Sequence, residues 1–235
     1  MSSRLDLKFF TTAAHPCSYL EKREAVTLFA DPDAEMSMWT YSHLSAMGFR
    51  RSGNYVYRPQ CQGCNACISV RVPIAQFRAT RSQRRCLGAN ADVTMTSHAA
   101  EWSEEHYALY ASYITARHAD GDMYPPTPRQ YREFLLSDWS NTELLEFRAS
   151  DRLLAVAVTD VLQDGLSAVY TFYDPNETWR GLGTLAILHQ IEACRKRDLP
   201  YLYLGYWVRQ APRMHYKTRF RPLELLIEGE WLLAR

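Results

Sequence analysis

Apolar and polar positions alternate in Ile68-Ser69-Val70-Arg71-Val72, as expected of a strand with one face turned to a core. Tyr55-Val56-Tyr57 follows a Gly53-Asn54 turn and reads as another short strand. Between residues 77 and 87 the spacing becomes helical, with Arg78, Arg81 and Arg85 three and four apart on one side. A longer helix begins near Glu101: Tyr107, Tyr110 and Ile114 recur at helical intervals. Glu104 and Glu105 suit its N-terminal dipole, and Gly121 would close it. Pro125, Pro126 and Pro128 forbid helix in the loop that follows, and residues 129–136 form a shorter helix. The period then returns to that of strands at 144–147, 153–161 and 166–173, with Gln163-Asp164-Gly165 as a hairpin turn between the last two. Gly181-Leu182-Gly183 opens a helix whose Leu188, Ile191 and Cys194 lie at core spacing. Residues 201–204 and 225–227 read as the closing strands.

This order of elements predicts an α+β protein with an N-acetyltransferase-like (GNAT) fold over residues 91–235. A Cys- and Arg-rich N-terminal domain, residues 1–90, is expected to pack against it. An apolar content of 47% and a charged content of 23% place the chain among ordinary globular proteins. A net charge of +1 excludes general stickiness for polyanions, so the clustering of cations carries the information. Arg78, Arg81, Arg84 and Arg85 form one group, Arg195, Lys196 and Arg197 a second, and the run from Arg209 to Arg221 a third. The chain has no apolar run long enough to span a membrane, and its first residues lack the apolar core of a secretion signal. The expected location is therefore the cytoplasm, where the six cysteines are thiols or metal ligands.

Four motifs carry chemistry. Gly205-Tyr206-Trp207-Val208 and the residues from Arg209 to Arg221 mix aromatics with cations, a combination that grips RNA by stacking and phosphate contact. Cys61, Cys64 and Cys67 are spaced two residues apart, and with Cys17 they would suit zinc or an iron–sulfur cluster; small thiols in a tight loop are the other reading. Arg180-Gly181-Leu182-Gly183 resembles the phosphate-cradling loop of acetyltransferases. Asp174, before Pro175 at a strand tip, is placed to orient an ammonium group, with Tyr173 beside it.

These pieces together resemble a known family, the bacterial aspartate/glutamate leucyltransferases of the arginyl-tRNA–protein transferase superfamily. The resemblance runs through Pro16-Cys17-Ser18-Tyr19-Leu20, the stretch from Met38 to Gly53, the Cys61/Cys64/Cys67 run, Phe172 to Pro175, Leu182-Gly183, Gly205 to Val208, and Phe220-Arg221-Pro222. It implies transfer of leucine from leucyl-tRNA to the N-terminal amine of proteins that begin with Asp or Glu, marking them for N-degron proteolysis. An activated ester needs no cofactor for its chemistry, and positioning supplies most of the acceleration. The expected acceptor-binding residues are Arg71, Arg78 and Lys217. The expected tRNA contacts are Tyr206, Trp207, Tyr216, Arg221 and Arg213. Three alternatives stay open: an acyl-CoA-dependent N-acetyltransferase using Gly181 and Gly183, an RNA-binding or redox module built on the Cys run, and arginine as the transferred residue.

Overall fold

The run Leu153-Leu154-Ala155-Val156-Ala157-Val158 is buried along its whole length, which requires cover on both of its faces. The computed structural model describes residues 7–234. In chain order its strands and helices are β1 (Phe9–Thr11), β2 (His15–Pro16), β3 (Glu24–Ala25), β4 (Thr27–Ala30), α1 (Met38–Ala46), β5 (Arg50–Ser52), β6 (Tyr55–Pro59), β7 (Ile68–Pro73), α2 (Arg81–Ala89), β8 (Val93–Ala99), α3 (Glu104–Arg117), α4 (Pro128–Leu135), β9 (Thr142–Ala149), β10 (Arg152–Val161), β11 (Gly165–Tyr173), α5 (Leu182–Lys196), β12 (Tyr201–Trp207), β13 (Leu223–Ile227) and β14 (Glu230–Ala234). An eight-stranded mixed sheet, ordered β14-β13-β7-β12-β11-β10-β9-β8, forms the centre, beside a four-stranded sheet ordered β1-β4-β6-β5. The molecule is thus α+β with one large mixed sheet. Strand β7, from the first part of the chain, sits inside that sheet between β12 and β13.

Helix starts follow their caps. Ser37, Thr80, Ser103 and Thr127 each accept a backbone N–H from the first turn of α1, α2, α3 and α4. The Thr80 cap is a full capping box with Gln83. It delays α2 to Arg81, so Phe77 is a buried residue ahead of the helix. Helix α3 ends at Arg117 with His118 as its cap, and Gly121 donates to the His118 carbonyl in the turn beyond. Helix α1, edge strands β8 and β14 and strands β1, β4 and β5 of the small sheet have no strong periodic signal and appear only in the structure, whereas β6 forms where Tyr55-Val56-Tyr57 reads as a strand.

One face of the large sheet is covered by α5, which packs on β7, β12 and β13 and on β9 and β10. On the other face α3 and α4 cover β9 to β11, while α1 and the small sheet cover Leu162 and Tyr203. Among the described residues no helix is long and apolar enough to cross a membrane.

The two sheets are pinned by a buried ion pair. Arg51 of β5 meets both carboxylate oxygens of Asp160 of β10, at 2.8 Å and 2.7 Å, with both side chains fully buried. Tyr41 of α1 and Thr142 of β9 each donate to the same carboxylate at 2.7 Å, and Arg51 also donates to the Leu135 carbonyl that ends α4. Removing one partner of such a pair strands a buried charge, at a cost of about 3–5 kcal/mol. Asp160→Ala is therefore expected to lower unfolding stability by about 3–5 kcal/mol in denaturant titration; a loss below about 1 kcal/mol would show that the network is solvated and not a pin.

Candidate active site

β11 and β12 are parallel neighbours joined through the crossover helix α5, but they pair over only three positions, ending at Ser167 and Tyr203. Beyond that point the strands fork. The carbonyls of Ala168 and Val169 then have no partner on β12, and Arg50 of β5 fills the gap, donating to them at 2.9 Å and 3.3 Å. On the opposite prong Gly205 has φ +75°, and the β12–β7 register shifts there, a bulge that bends the strand away. A Cβ at Gly205 would lie 2.5 Å from the Arg50 guanidinium carbon, so only glycine leaves room for that side chain. The second terminal nitrogen of Arg50, Nη1, is buried and has no hydrogen-bond partner among the described residues.

Lys217 closes the fork from a 3-10 helix, Pro212–Arg219. It is 8% exposed, and its Nζ donates to the Tyr206 carbonyl at 2.5 Å. Burial, with the neighbouring Arg50 charge, pushes its pKa down to about 7. The lysine is thus divided between ammonium and free amine near neutrality. Tyrosines surround the opening. Tyr173 and Tyr113 pack at 4.7 Å, and Tyr216 beside them is 43% exposed. The Tyr170 hydroxyl is buried, has no hydrogen-bond partner among the described residues, and lies near the Tyr113, Tyr110, Tyr216 and Tyr173 hydroxyls. A cationic cleft with two orphaned donors and a near-neutral amine is equipped to hold an anionic or carbonyl-bearing ligand and to move a proton.

The residues marked in the sequence divide. Tyr173, Tyr216 and Lys217 meet at the fork. Tyr206 is there too, but the bulge turns it inward: its hydroxyl donates to the Gly48 and Tyr57 carbonyls and the residue is 5% exposed, so it has no face for a nucleobase. Trp207 packs against the core under α5. Arg213 pairs with Asp120 at 2.7 Å, and Arg221 donates to the Thr218 carbonyl. Arg78 donates to the carbonyls of Ala75 and Phe77 ahead of α2. Arg71 lies at the closed base of the sheet, bonded to Glu224 at 2.6 Å and to the Tyr203 hydroxyl, with its guanidinium over the Tyr201 and Trp231 rings. Asp174 forms an ion pair with Arg152 at 2.8 Å and caps the turn at Asn176. Arg71 is level with Ser167 through Tyr203. Asp174 lies seven residues further along β11, about 23 Å away at about 3.3 Å per residue, so these two do not share a cavity.

The four cysteines come near one another without forming a metal-holding set. Among the described residues no three of His, Cys, Asp or Glu stand so as to hold one metal ion. The Cys61 sulfur accepts the Val26 N–H at 3.4 Å, and burial followed by the nearby thiols pushes the Cys67 pKa up to about 12. The residues of the fork without a sequence signal are Arg50, Tyr113 and Tyr170; the one hint for Arg50 is an adjacent Arg50-Arg51 pair just before the Gly53 turn.

Comparison with known proteins fits this geometry. A family model described as the N terminus of arginine-tRNA-protein transferase matches residues 15–85, and one described as its C terminus matches residues 105–227. A protein named aspartate/glutamate leucyltransferase from Hahella chejuensis is 53% identical over 232 residues, covering 99% of each chain. One of the same name from Alcanivorax borkumensis is 54% identical over 231 residues, covering 98% of this chain and 96% of the relative. Among solved structures, an Agrobacterium fabrum domain described as the C-terminal domain of a lysylphosphatidylglycerol synthetase superposes with a TM-score of 0.50 at 12% identity. It covers 82% of this chain, which spans 62% of that one, and the likeness is one of fold alone. With both family models matched in order and relatives half-identical along their whole length, the chain belongs to the arginine-tRNA-protein transferase family, among the proteins named aspartate/glutamate leucyltransferases.

Proposed function

We propose that the protein moves leucine from leucyl-tRNA to the N-terminal amine of proteins beginning with Asp or Glu, and that the fork between β11 and β12 is where the two substrates meet. As a member of its family it is a tRNA-dependent aminoacyltransferase. An N-acetyltransferase-like fold for residues 91–235, with a Cys- and Arg-rich N-terminal domain, residues 1–90, packed against it and lending β7 to its sheet, belongs to the same reading. The observation that carries it is the fork, where a buried guanidinium nitrogen without a partner stands beside a near-neutral lysine.

Arg50 Nη1 takes the acidic side chain of the acceptor, because a guanidinium pairs well with a carboxylate. The acceptor α-amine, whose usual pKa is about 7.7–8.0, is in part already neutral near pH 7. It attacks the ester carbonyl carbon and a C–N bond forms; Lys217 in its amine form takes a proton from that nitrogen, and the C–O bond to the terminal ribose breaks. The leaving ribose oxygen takes the electron pair and a proton, returned by Lys217. The Tyr170 hydroxyl is the donor for the developing oxyanion. Neither Asp174 nor Arg71 enters this sequence, since Arg152 and Glu224 already neutralise them.

Leucyl-tRNA or arginyl-tRNA supplied with peptides beginning Asp, Glu or Ala tests the reading by mass spectrometry. Leucine should appear on the Asp and Glu peptides alone; arginine transfer, or leucine on the Ala peptide, would refute it. Lys217→Gln should lower kcat by about 10²–10⁴-fold. Below about pH 7 the wild-type log(kcat/KM) should rise with a slope near two, one ionisation from Lys217 and one from the acceptor amine, whose usual pKa is about 7.7–8.0. The variant should keep a slope near one. The sign for stability is that of any group whose folded pKa is depressed. The unfolded chain holds the Lys217 proton between about 7 and 10.5 while the folded one does not, so stability rises with pH across that window, and the variant should lose that rise. Gly205→Ala should push Arg50 out of the fork and strain the backbone by about 1–3 kcal/mol, raising KM for acidic peptides; an unchanged KM would remove Arg50 from acceptor binding.

A further inference from the structure

We propose that a second cavity, between α2 and the start of α5, receives the unpaired 3′ end of the donor RNA, which rests on the reading of aminoacyl-tRNA as donor. The cavity holds about 580 Å3 and lies between Arg85 and Gln83 of α2, Trp179, Gly181 and Thr184 at the start of α5, and Arg219. Two of its cations are free. Arg85 and Arg219 are exposed, and among the described residues neither guanidinium has a hydrogen bond or an ion pair. Arg180, in the same wall, is fully engaged: it grips both oxygens of Asp92 at 2.8 Å and meets Glu177 at 3.0 Å. The difference separates cations that build the wall from cations left for a ligand.

Trp179 adds the second half of the chemistry. Its indole is 65% exposed, and Arg180 backs it at 4.4 Å, which fixes the ring as a platform. Cations that neutralise phosphates beside an aromatic face that stacks on a base are what an RNA single strand needs. The walls are preformed. Gln83 donates to the Arg219 carbonyl at 3.1 Å, Asn90 to the Arg180 carbonyl at 2.8 Å, and the Cys86 thiol to the same carbonyl at 3.5 Å. A strand binding here pays little for ordering the site.

Position completes the case. Arg219 follows Lys217 by two residues on one 3-10 helix, about 4 Å along its axis at about 2 Å per residue. At the start of α5, a Cβ on Gly183 would lie 3.6 Å from the Tyr173 ring of the fork, and Gly181 lines the cavity. An RNA end held on Arg85, Arg219 and Trp179 thus presents its terminal ribose ester toward Lys217. Phosphates with a flat base also occur in coenzyme A, and the test separates the two.

The experiment uses the full chain and an RNA minihelix ending in single-stranded CCA, labelled at its 5′ end, beside one lacking those nucleotides. Fluorescence anisotropy is followed from about 50 to about 200 mM salt, the range over which counterion release is steep. Wild type should prefer the CCA-bearing RNA. The double variant R85Q/R219Q should bind at least tenfold more weakly at low salt. Its slope of log K against log salt should fall by about 1.4, about 0.7 for each lost single-strand phosphate contact. Trp179→Ala should abolish the preference for CCA, and Trp179→Phe should retain part of it. In transfer assays all should raise KM for leucyl-tRNA with kcat within about twofold, at unchanged melting temperature. Unaltered RNA binding in R85Q/R219Q and Trp179→Ala would overturn the assignment, and so would coenzyme A displacing the RNA at equal concentration. A wild type that moves no leucine yet shows these binding losses would refute the leucyl-transfer reading and leave the cavity an RNA site.

Discussion

Arg50 and Arg51 are neighbours on a strand of three residues, and successive strand residues face opposite ways. One side chain therefore reaches β10 and the other reaches the gap between β11 and β12. The Arg51 guanidinium is taken out of water whole and that of Arg50 at its Nη1, which costs several kcal/mol for a buried ion unless partners compensate. Arg51 is compensated in full by the Asp160 carboxylate and by carbonyls at Gly53 and Leu135. Arg50 is compensated in part, by two carbonyls on one terminal nitrogen, while the other nitrogen has none. The satisfied arginine fixes the small sheet against the large one. The unsatisfied one is thereby held in a place it would not choose alone. Strain of this kind persists only where its surroundings enforce it, and it clusters at functional sites.

The same placement sets the electrostatics of Lys217. A buried lysine next to a permanent cation loses its proton more readily, and Arg50 supplies that cation. An acidic acceptor bound at Arg50 would cancel part of the repulsion and draw the lysine pKa back up as it arrives. The lysine then becomes a better proton acceptor at the moment the acceptor amine is delivered. Substrate charge, binding nitrogen and base are coupled through one contact, and none of them requires a nucleophilic side chain.

How much of this was legible in the chain varies with the range of the interaction involved. The period of two in β7, the continuous apolar run of β10 and the helical spacing in α5 reflect local geometry, and those elements form where the pattern puts them. The start of α2 needed Thr80 to be read as a cap, a local signal that outranks the arginine spacing. The fork is different, because it exists where two strands stop pairing and neither strand's own sequence records that. Arg71 carries the right residue type on the right kind of strand, but its partner Glu224 is 153 positions away and claims its charge. Tyr206 belongs to a stretch that reads as an RNA-stacking surface, and one positive φ at Gly205 turns it into the core. Cys17, Cys61, Cys64 and Cys67 lie near one another, but spacing cannot report that Cys61 is held by the Val26 backbone.

Specificity for acidic N-termini follows from the orphaned nitrogen on the proposed reading. A peptide beginning with Asp or Glu gives Arg50 Nη1 a charged partner, whereas one beginning with Ala leaves it buried and unpaired. Sites built to bond a polar group reject ligands that lack it by about 10⁴–10⁵. Asp and Glu themselves differ by one methylene, worth about 1–3 kcal/mol at most in a rigid apolar pocket. The mouth of the fork is instead lined by tyrosines, of which Tyr216 is substantially exposed, and an open aromatic rim tolerates the longer chain. One cation with one free donor therefore discriminates sharply between acidic and neutral ends and weakly between the two acids. A site that measured length instead of charge would need a closed pocket around Arg50, and the enclosed space next to that residue, lined by Ser69, Ser167 and Gly205, has room for about a single water.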